Sequence, residues 1–299
     1  MKKTLPLWML TLACLTVLAS ASSAQELNWR QYRGYDVPFV PTPLEVVDEM
    51  LRLADIRVGD VLCDLGCGDG RIVIAAAKRF GIRAVGIDID PLRIAESNAN
   101  AAKEGVSSKV RFVQQDLFEA DFREATVVTM YLLTSVNLRL RPKLLTDLKP
   151  GTRLVSHSFD MGDWLPDTTT VVRLSQDNER GVHFWIVPAN ASGVWEWDLA
   201  DGPTKRHFRF EAAQRFQALS GPVTSDGRQL GVYELKLAGD IISFVLTSGT
   251  DGKTAASEYK GRIQGHTITG TVRPRGNAGA GAVMWKAVRD PKTIEPMAK

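Results

Sequence analysis

At 299 residues the chain exceeds one ordinary domain of about 100 to 200 residues, so length alone favours two domains. Hydrophobic residues at 44% and charged residues at 24% describe an ordinary soluble globular protein. The formal charge of +3 falls to +1 once residues 1–24 are set aside, because they carry Lys2 and Lys3 and no acid. That balance does not advertise a polyanion-binding protein, and no nucleic-acid partner is expected. The average hides a split: residues 25–189 hold 20 basic and 23 acidic side chains, whereas residues 190–299 hold 15 and 11. The two parts read as separate units.

The N-terminus reads as an export signal, with Lys2 and Lys3, an apolar stretch from Leu5 to Leu18, and the small-residue run Ala19 to Ala24. Cleavage is expected after Ala24, with Ala21 as second choice, which makes the chain an exported, periplasmic protein. A lipoprotein reading at Cys14 is weakened by Thr11, where a lipobox prefers Leu. The alternative is an uncleaved segment that anchors the chain to a membrane, since about 17 apolar residues are just enough to span one. After cleavage Cys63 and Cys67 remain, one in a predicted strand and one in the loop behind it, and the four histidines are scattered singly. No metal site and no disulfide framework are expected.

Residues 25–42 are an irregular lead-in. Thr42 and Pro43 then read as the start of a helix, with Thr42 as cap and Val46, Val47, Met50, Leu51 and Ala54 on one face. Short apolar runs follow at Val61 to Leu65, Arg83 to Ile87, Val110 to Val113, Thr126 to Tyr131 and Thr152 to Ser156. Between them lie the helix-like stretches Arg71 to Phe80, Pro91 to Glu104 and Ser135 to Leu148. Such alternation means a parallel α/β sheet covered on both faces. Two more runs, Thr169 to Leu174 and Val182 to Val187, close the sheet as a hairpin, giving seven strands within residues 25–189. From Gly193 the helical period disappears. About eight short alternating segments follow, among them Trp195/Trp197/Leu199, Phe208/Phe210, Phe216/Ala218 and Ile242/Phe244/Leu246, with turn signals at Asp226-Gly227 and Asp251-Gly252. Residues 190–299 therefore read as an all-β meander or small barrel, a β-rich unit without an evident cluster of acid, base or nucleophile.

The chemistry-bearing stretch is Asp64-Leu65-Gly66-Cys67-Gly68-Asp69-Gly70-Arg71, between the first strand and the first long helix of the repeat. Glycines let the backbone turn sharply and approach a ligand closely, and the N–H groups of the following helix favour polar or negative groups there. A dinucleotide fingerprint would be G-x-G-x-x-G, but position 71 is Arg, so the loop reads G-x-G-x-G. That form, preceded by an acid, suits a ligand with an ammonium group and no phosphates. The second strand ends in Asp88-Ile89-Asp90, where a carboxylate can accept from both hydroxyls of a ribose; the competing role, a helix cap, is the favoured one for Asp90 before Pro91. The third strand ends in Gln115-Asp116-Leu117-Phe118, where an acid can meet an adenine amino group or simply turn the loop.

In order and spacing these three features resemble the class I methyltransferases, a Rossmann-like family that uses S-adenosyl-L-methionine. The resemblance implies that Asp64 and Gly66 face the methionine moiety, Asp88 the ribose and Asp116 the adenine; Cys67, Gly68, Gly70, Ile89 and Leu117 are further candidates for binding the cofactor, with Thr42 covering it from the lead-in. A longer stretch, Tyr35 to Asp167, is similar to a group of protein-lysine methyltransferases. The matching segments are Val37-Pro38-Phe39-Val40-Pro41-Thr42, Met130-Tyr131-Leu132-Leu133, Leu148-Lys149-Pro150-Gly151 and Ser156-His157. Known members act on the adenine nucleotide translocase and the ATP synthase c-subunit. The export signal and the β-rich unit depart from that pattern.

The resemblance implies an N-methyltransferase acting on a protein lysine; Tyr131, at the carboxyl end of the fourth strand, is the first candidate for lining the acceptor channel or else a core aromatic, and His157 and Asp160, after the fifth strand, are placed near the mouth of the cleft. Trp164 is a candidate wall of the entrance. Two alternatives stay open: a small-molecule methyltransferase, and a non-catalytic envelope binding protein on a methyltransferase-like scaffold.

Overall fold

The computed structural model describes residues 36–201, 203–250, 253–276 and 281–297. The proposed signal at 1–24 and the Asp251-Gly252 turn lie outside them. The strands and helices named below belong to one compact unit that begins at Thr42.

Its first half is a seven-stranded sheet with helices on its faces. Strands β1 (Val61–Leu65), β2 (Arg83–Asp88), β3 (Val110–Gln114), β4 (Val127–Met130) and β5 (Arg153–His157) are parallel, whereas β6 (Thr168–Ser175) and β7 (Asn178–Ile186) form the closing hairpin. The order across the sheet is β3-β2-β1-β4-β5-β7-β6. Every residue of β1 is buried, as a strand covered on both faces requires. The order reverses between β1 and β4, so a crevice opens at the carboxyl ends of these two strands.

Helices α1 (Leu44–Leu53), α2 (Arg71–Phe80), α3 (Pro91–Lys103) and α4 (Thr134–Asp147) connect and cover the strands. Asp90 caps α3 as the sequence suggests, its Oδ1 accepting from the Leu92 N–H at 2.8 Å. The cap expected at α1 is different: Pro43 holds the N-cap position and no side chain caps the helix. Thr42 is turned inward instead, its hydroxyl 3.3 Å from His157 Nδ1.

The second half is all β. It contains β8 (Gly193–Asp201), β9 (Thr204–Arg215), β10 (Ala218–Ser220), β11 (Val223–Ser225), β12 (Arg228–Ala238), β13 (Ile241–Thr250), β14 (Lys253–Gln264), β15 (Thr267–Pro274) and β16 (Val283–Arg289). Eight of these close on themselves in the order β8-β9-β11-β12-β13-β14-β15-β16, with β16 returning to β8 and β10 left as a short strand on β9. The closing seam is short, Trp195 and Glu196 of β8 against Arg289 and Val288 of β16, and of the meander and barrel readings the barrel is the one realised. The inward residues are mostly aromatic. Trp197 stacks on Phe208 at 5.2 Å, Phe244 on Tyr259 at 4.8 Å, and Trp285 meets Tyr259 edge-on at 5.2 Å. These rings belong to one buried cluster that packs as the core of the barrel. One segment differs from the sequence reading: Phe216 is not in a strand but at the tip of the β9–β10 turn, with φ of 53°.

Candidate active site

The glycine loop follows β1 and is shaped by three left-handed glycines, Gly66, Gly68 and Gly70. Gly70 shows why no side chain is tolerated: a Cβ there would lie 2.7 Å from the Phe112 ring and 2.8 Å from Ser97 Cβ. Asp88, half-buried at the end of β2, ties the loop down. Its Oδ2 accepts from the Gly68 N–H at 2.8 Å and its Oδ1 from the Asp90 N–H at 3.0 Å. Burial pushes the Asp88 carboxyl upward, against the lowering effect of those N–H bonds.

Asp64 is almost fully buried and pairs across the sheet with Thr129 of β4, whose hydroxyl donates to Asp64 Oδ1 at 2.7 Å. Burial raises its carboxyl to about 7, against the Thr129 hydrogen bond, and the negative charges of Asp88 and Asp69 add to the rise. Acids gathered around one loop favour a ligand carrying positive charge over one carrying phosphates. Cys67, also buried, has its thiol driven upward by desolvation and is no nucleophile. Its sulfur fills the space above Gly86, where a Cβ would come within 2.7 Å.

Arg71, the residue that breaks the dinucleotide fingerprint, has a positive use. It holds Asp69 in an ion pair at 2.5 Å and donates from Nη1 to the Thr42 carbonyl at 2.8 Å, fastening Thr42 to the glycine loop. Thr42 in turn contacts His157 at the end of β5. Contrary to the expected position near the mouth, His157 is fully buried. Desolvation lowers its imidazole to about 4, so it is neutral at pH 7, and its Nε2 has no hydrogen-bond partner among the described residues. Tyr131, half-buried at the end of β4, stacks on His157 at 3.8 Å and lies 5.9 Å from Phe159.

The remaining predicted residues occupy the same rim. Ile89 is exposed beside Asp88, and Leu117 is half-buried after β3. Asp116 is exposed and turns its own loop, its Oδ1 accepting from the Phe118 N–H at 2.9 Å. Direct contacts join Asp88 to Gly68, Thr42 to His157 and Tyr131 to His157. Thr129, Phe159 and the clamp made by Arg71 were not singled out from the sequence. Thr129 becomes visible only when β1 and β4, 65 residues apart, are paired. Trp164 is not a wall of the entrance; it is fully buried, stacked against Phe216 of the barrel.

The profile of the ANTKMT methyltransferase domain matches residues 64–168. A protein-lysine N-methyltransferase of Saccharolobus islandicus is 53% identical over 153 residues, which are 50% of this chain and 94% of the relative. This chain belongs to that methyltransferase family. Two further relatives are vertebrate enzymes. The lysine N-methyltransferase of the ATP synthase c-subunit from Xenopus laevis is 34% identical over 52% of this chain and 66% of its own length, and the adenine nucleotide translocase lysine N-methyltransferase of Mus musculus is 35% identical over 56% and 66%. The match thus spans just under two thirds of either vertebrate protein. A solved structure described as an RNA methyltransferase from Salinibacter ruber in complex with S-adenosyl-L-homocysteine is 56% identical, covering 50% of this chain and 94% of that one, with a TM-score of 0.47.

The methyltransferase uses S-adenosyl-L-methionine, and its residues fit that cofactor. The glycine cradle has no room for side chains, the buried acid Asp64 suits a cationic centre, and Asp88 presents a carboxylate at the strand end suited to a ribose. The barrel lies beyond the matched profile, and the Saccharolobus relative, 94% of which is taken up by the match, has no room for it.

Proposed function

We propose that this methyltransferase modifies the side-chain amine of a protein lysine. The observation that carries the reading is the aromatic group at the carboxyl edge of β4 and β5, where the Tyr131 ring stacks with a neutral, buried His157 and with Phe159. An amine attacks only when neutral, and a wall of rings without a formal charge disfavours the ammonium form. The names of the relatives, lysine methyltransferases acting on proteins, support the same acceptor class.

The bound cofactor supplies a methyl group already activated on a sulfonium. The chain's own task is then orientation, the largest contribution expected for an in-line displacement. In this reading Asp64 meets the cationic end of the cofactor, Asp88 and Ile89 the ribose, Asp116 and Leu117 the adenine, and the glycines the chain between them. Thr42, fastened by Arg71, covers the site and sets the His157 ring, while Tyr131 guides the acceptor amine. We also hold that the chain is exported and acts in the envelope, on the strength of residues 1–24. Membrane association through an uncleaved segment is the variant of that reading.

The test is transfer of radiolabelled methyl from S-adenosyl-L-methionine by residues 25–299 to an extract of the source cells, followed by acid hydrolysis. Label in methyl-lysine supports the proposal. Label confined to RNA or to a solvent-extractable product overturns it.

A further inference from the structure

The barrel touches the methyltransferase half through the tip of the β9–β10 turn, and the segment it touches is the one that runs on from His157. We infer that this turn, with Phe216 at its centre, is a positioning element for the acceptor channel. The inference rests on the reading of Tyr131 and Phe159 as channel walls.

Phe216 adopts a positive φ and is 2% exposed, so a strained backbone presents a large ring to a buried place. The ring stacks on Trp164 at 5.7 Å with an interplanar angle of 15°, and the Arg141 guanidinium lies 5.1 Å from its centroid. The flanking residues fasten the same contact. Arg215 pairs with Asp163 at 2.6 Å, and Gln217 donates to the Leu165 carbonyl at 2.7 Å and to Asp167 at 3.4 Å. Gln214 braces the turn from behind, donating to the Phe216 carbonyl at 2.6 Å and the Ala189 carbonyl at 2.9 Å.

Helix α4 carries the contact to the site. Arg141, buried, donates to the Met161 carbonyl at 2.8 Å and pairs with Asp163, the acid that Arg215 also holds. One helical turn earlier, Asn137 donates to the Phe159 carbonyl at 3.2 Å and the Asp160 carbonyl at 3.1 Å. Ser156 also donates to the Phe159 carbonyl, at 2.6 Å. One short loop, from Ser158 to Asp167, is thus held at its far end by the barrel and at its near end beside Tyr131. Phe216 acts through Trp164 and Arg141 and is a positioning residue, not a catalytic one.

The experiment uses residues 25–299 and three variants: Phe216→Ala, Phe216→Tyr, and the double variant Arg215→Ala/Gln217→Ala. Affinity for S-adenosyl-L-homocysteine by titration calorimetry should stay within about twofold in all three, because the cofactor loop is not touched. Methyl transfer by Phe216→Ala should lose about tenfold or more in kcat, and Phe216→Tyr should recover most of it. Amide hydrogen exchange at residues 159–161 should be faster in Phe216→Ala, a readout that needs no acceptor. If wild-type protein methylates no lysine, the proposed function fails, and the exchange measurement still decides this inference. Unchanged exchange at 159–161, or an equal kcat loss in Phe216→Tyr, would overturn it. Should Phe216→Ala not fold, the double variant is read in its place: faster exchange upholds the inference and unchanged exchange overturns it.

Discussion

The parallel sheet and the barrel are both built on buried apolar residues, yet they bury polar groups in different ways. In the sheet, Asp64, Thr129, Ser156 and His157 are buried at the carboxyl ends of three neighbouring strands, facing the crevice where the strand order reverses. In the barrel the large buried polar side chain is Arg289, whose Nη groups go to the Asn190, Ser192 and Gly265 carbonyls and whose guanidinium lies 4.7 Å from the Trp195 ring. In the first set Thr129 holds Asp64 and Thr42 meets His157, and burial shifts the titration of both groups. The second is closed on the backbone and serves the fold. The comparison teaches that perturbed groups gathered at one sheet edge point to chemistry, whereas a buried cation surrounded by carbonyls points to architecture.

The largest expected effect lies in the sheet. Asp88→Ala removes the acceptor of the Gly68 and Asp90 N–H groups as well as the proposed ribose contact, and is expected to weaken S-adenosyl-L-homocysteine binding by about 100-fold or more, read by titration calorimetry. A variant that binds normally would remove Asp88 from the site. The barrel counterpart is Trp197→Ala, which opens a cavity among four rings and should cost about 3–5 kcal/mol in denaturant unfolding while leaving cofactor affinity intact. Loss of binding in that variant would break the division of labour between the halves.

Asp64 and His157 give opposed pH effects of intermediate size. A buried carboxyl raised to about 7 makes the folded state keep a proton that the unfolded chain has released, so Asp64 costs stability as pH rises from about 4 to 7. An imidazole lowered to about 4 does the reverse: the unfolded chain takes up the proton first, and stability is lost as pH falls from 6.5 towards 4. In one window the two offset each other. Thermal melts from pH 4 to 7 should therefore show Asp64→Asn gaining stability relative to wild type as pH rises, and His157→Gln losing it, with each slope up to about 1.4 kcal/mol per pH unit. Parallel profiles for the two variants would mean that neither group titrates as its burial implies. The smallest effect is expected at the barrel exterior, where Arg262→Ala breaks an exposed pair with Asp240 and should change stability by about 0.5 kcal/mol or less in the same melts.

Much of the sheet was legible because its signals are local. The apolar run Val61 to Leu65 matches β1 residue for residue, Arg71 to Phe80 matches α2, and of the three acids Asp64 lies in β1, Asp88 ends β2 and Asp116 follows β3. The second half was legible as alternating strands of a meander or small barrel, but the choice between the two was not, because closure depends on β8 meeting both β9 and β16, and the latter partner lies about 90 residues away in the chain. Phe216 was misplaced for a related reason: alternation at 216 and 218 has the period of a strand, but burial against Trp164 holds the residue in a turn.

The order of residues along the chain thus determined the elements, the glycine loop and the family's acids, since each rests on the periodicity or backbone freedom of a few consecutive residues. Tertiary structure decided what those residues meet. Thr42 abandons a helix cap for His157, Thr129 finds Asp64, and Arg71 finds the Thr42 carbonyl. It also decided that the barrel reaches the loop beside Tyr131, because contacts between distant segments arise only when burial and strand pairing bring them together.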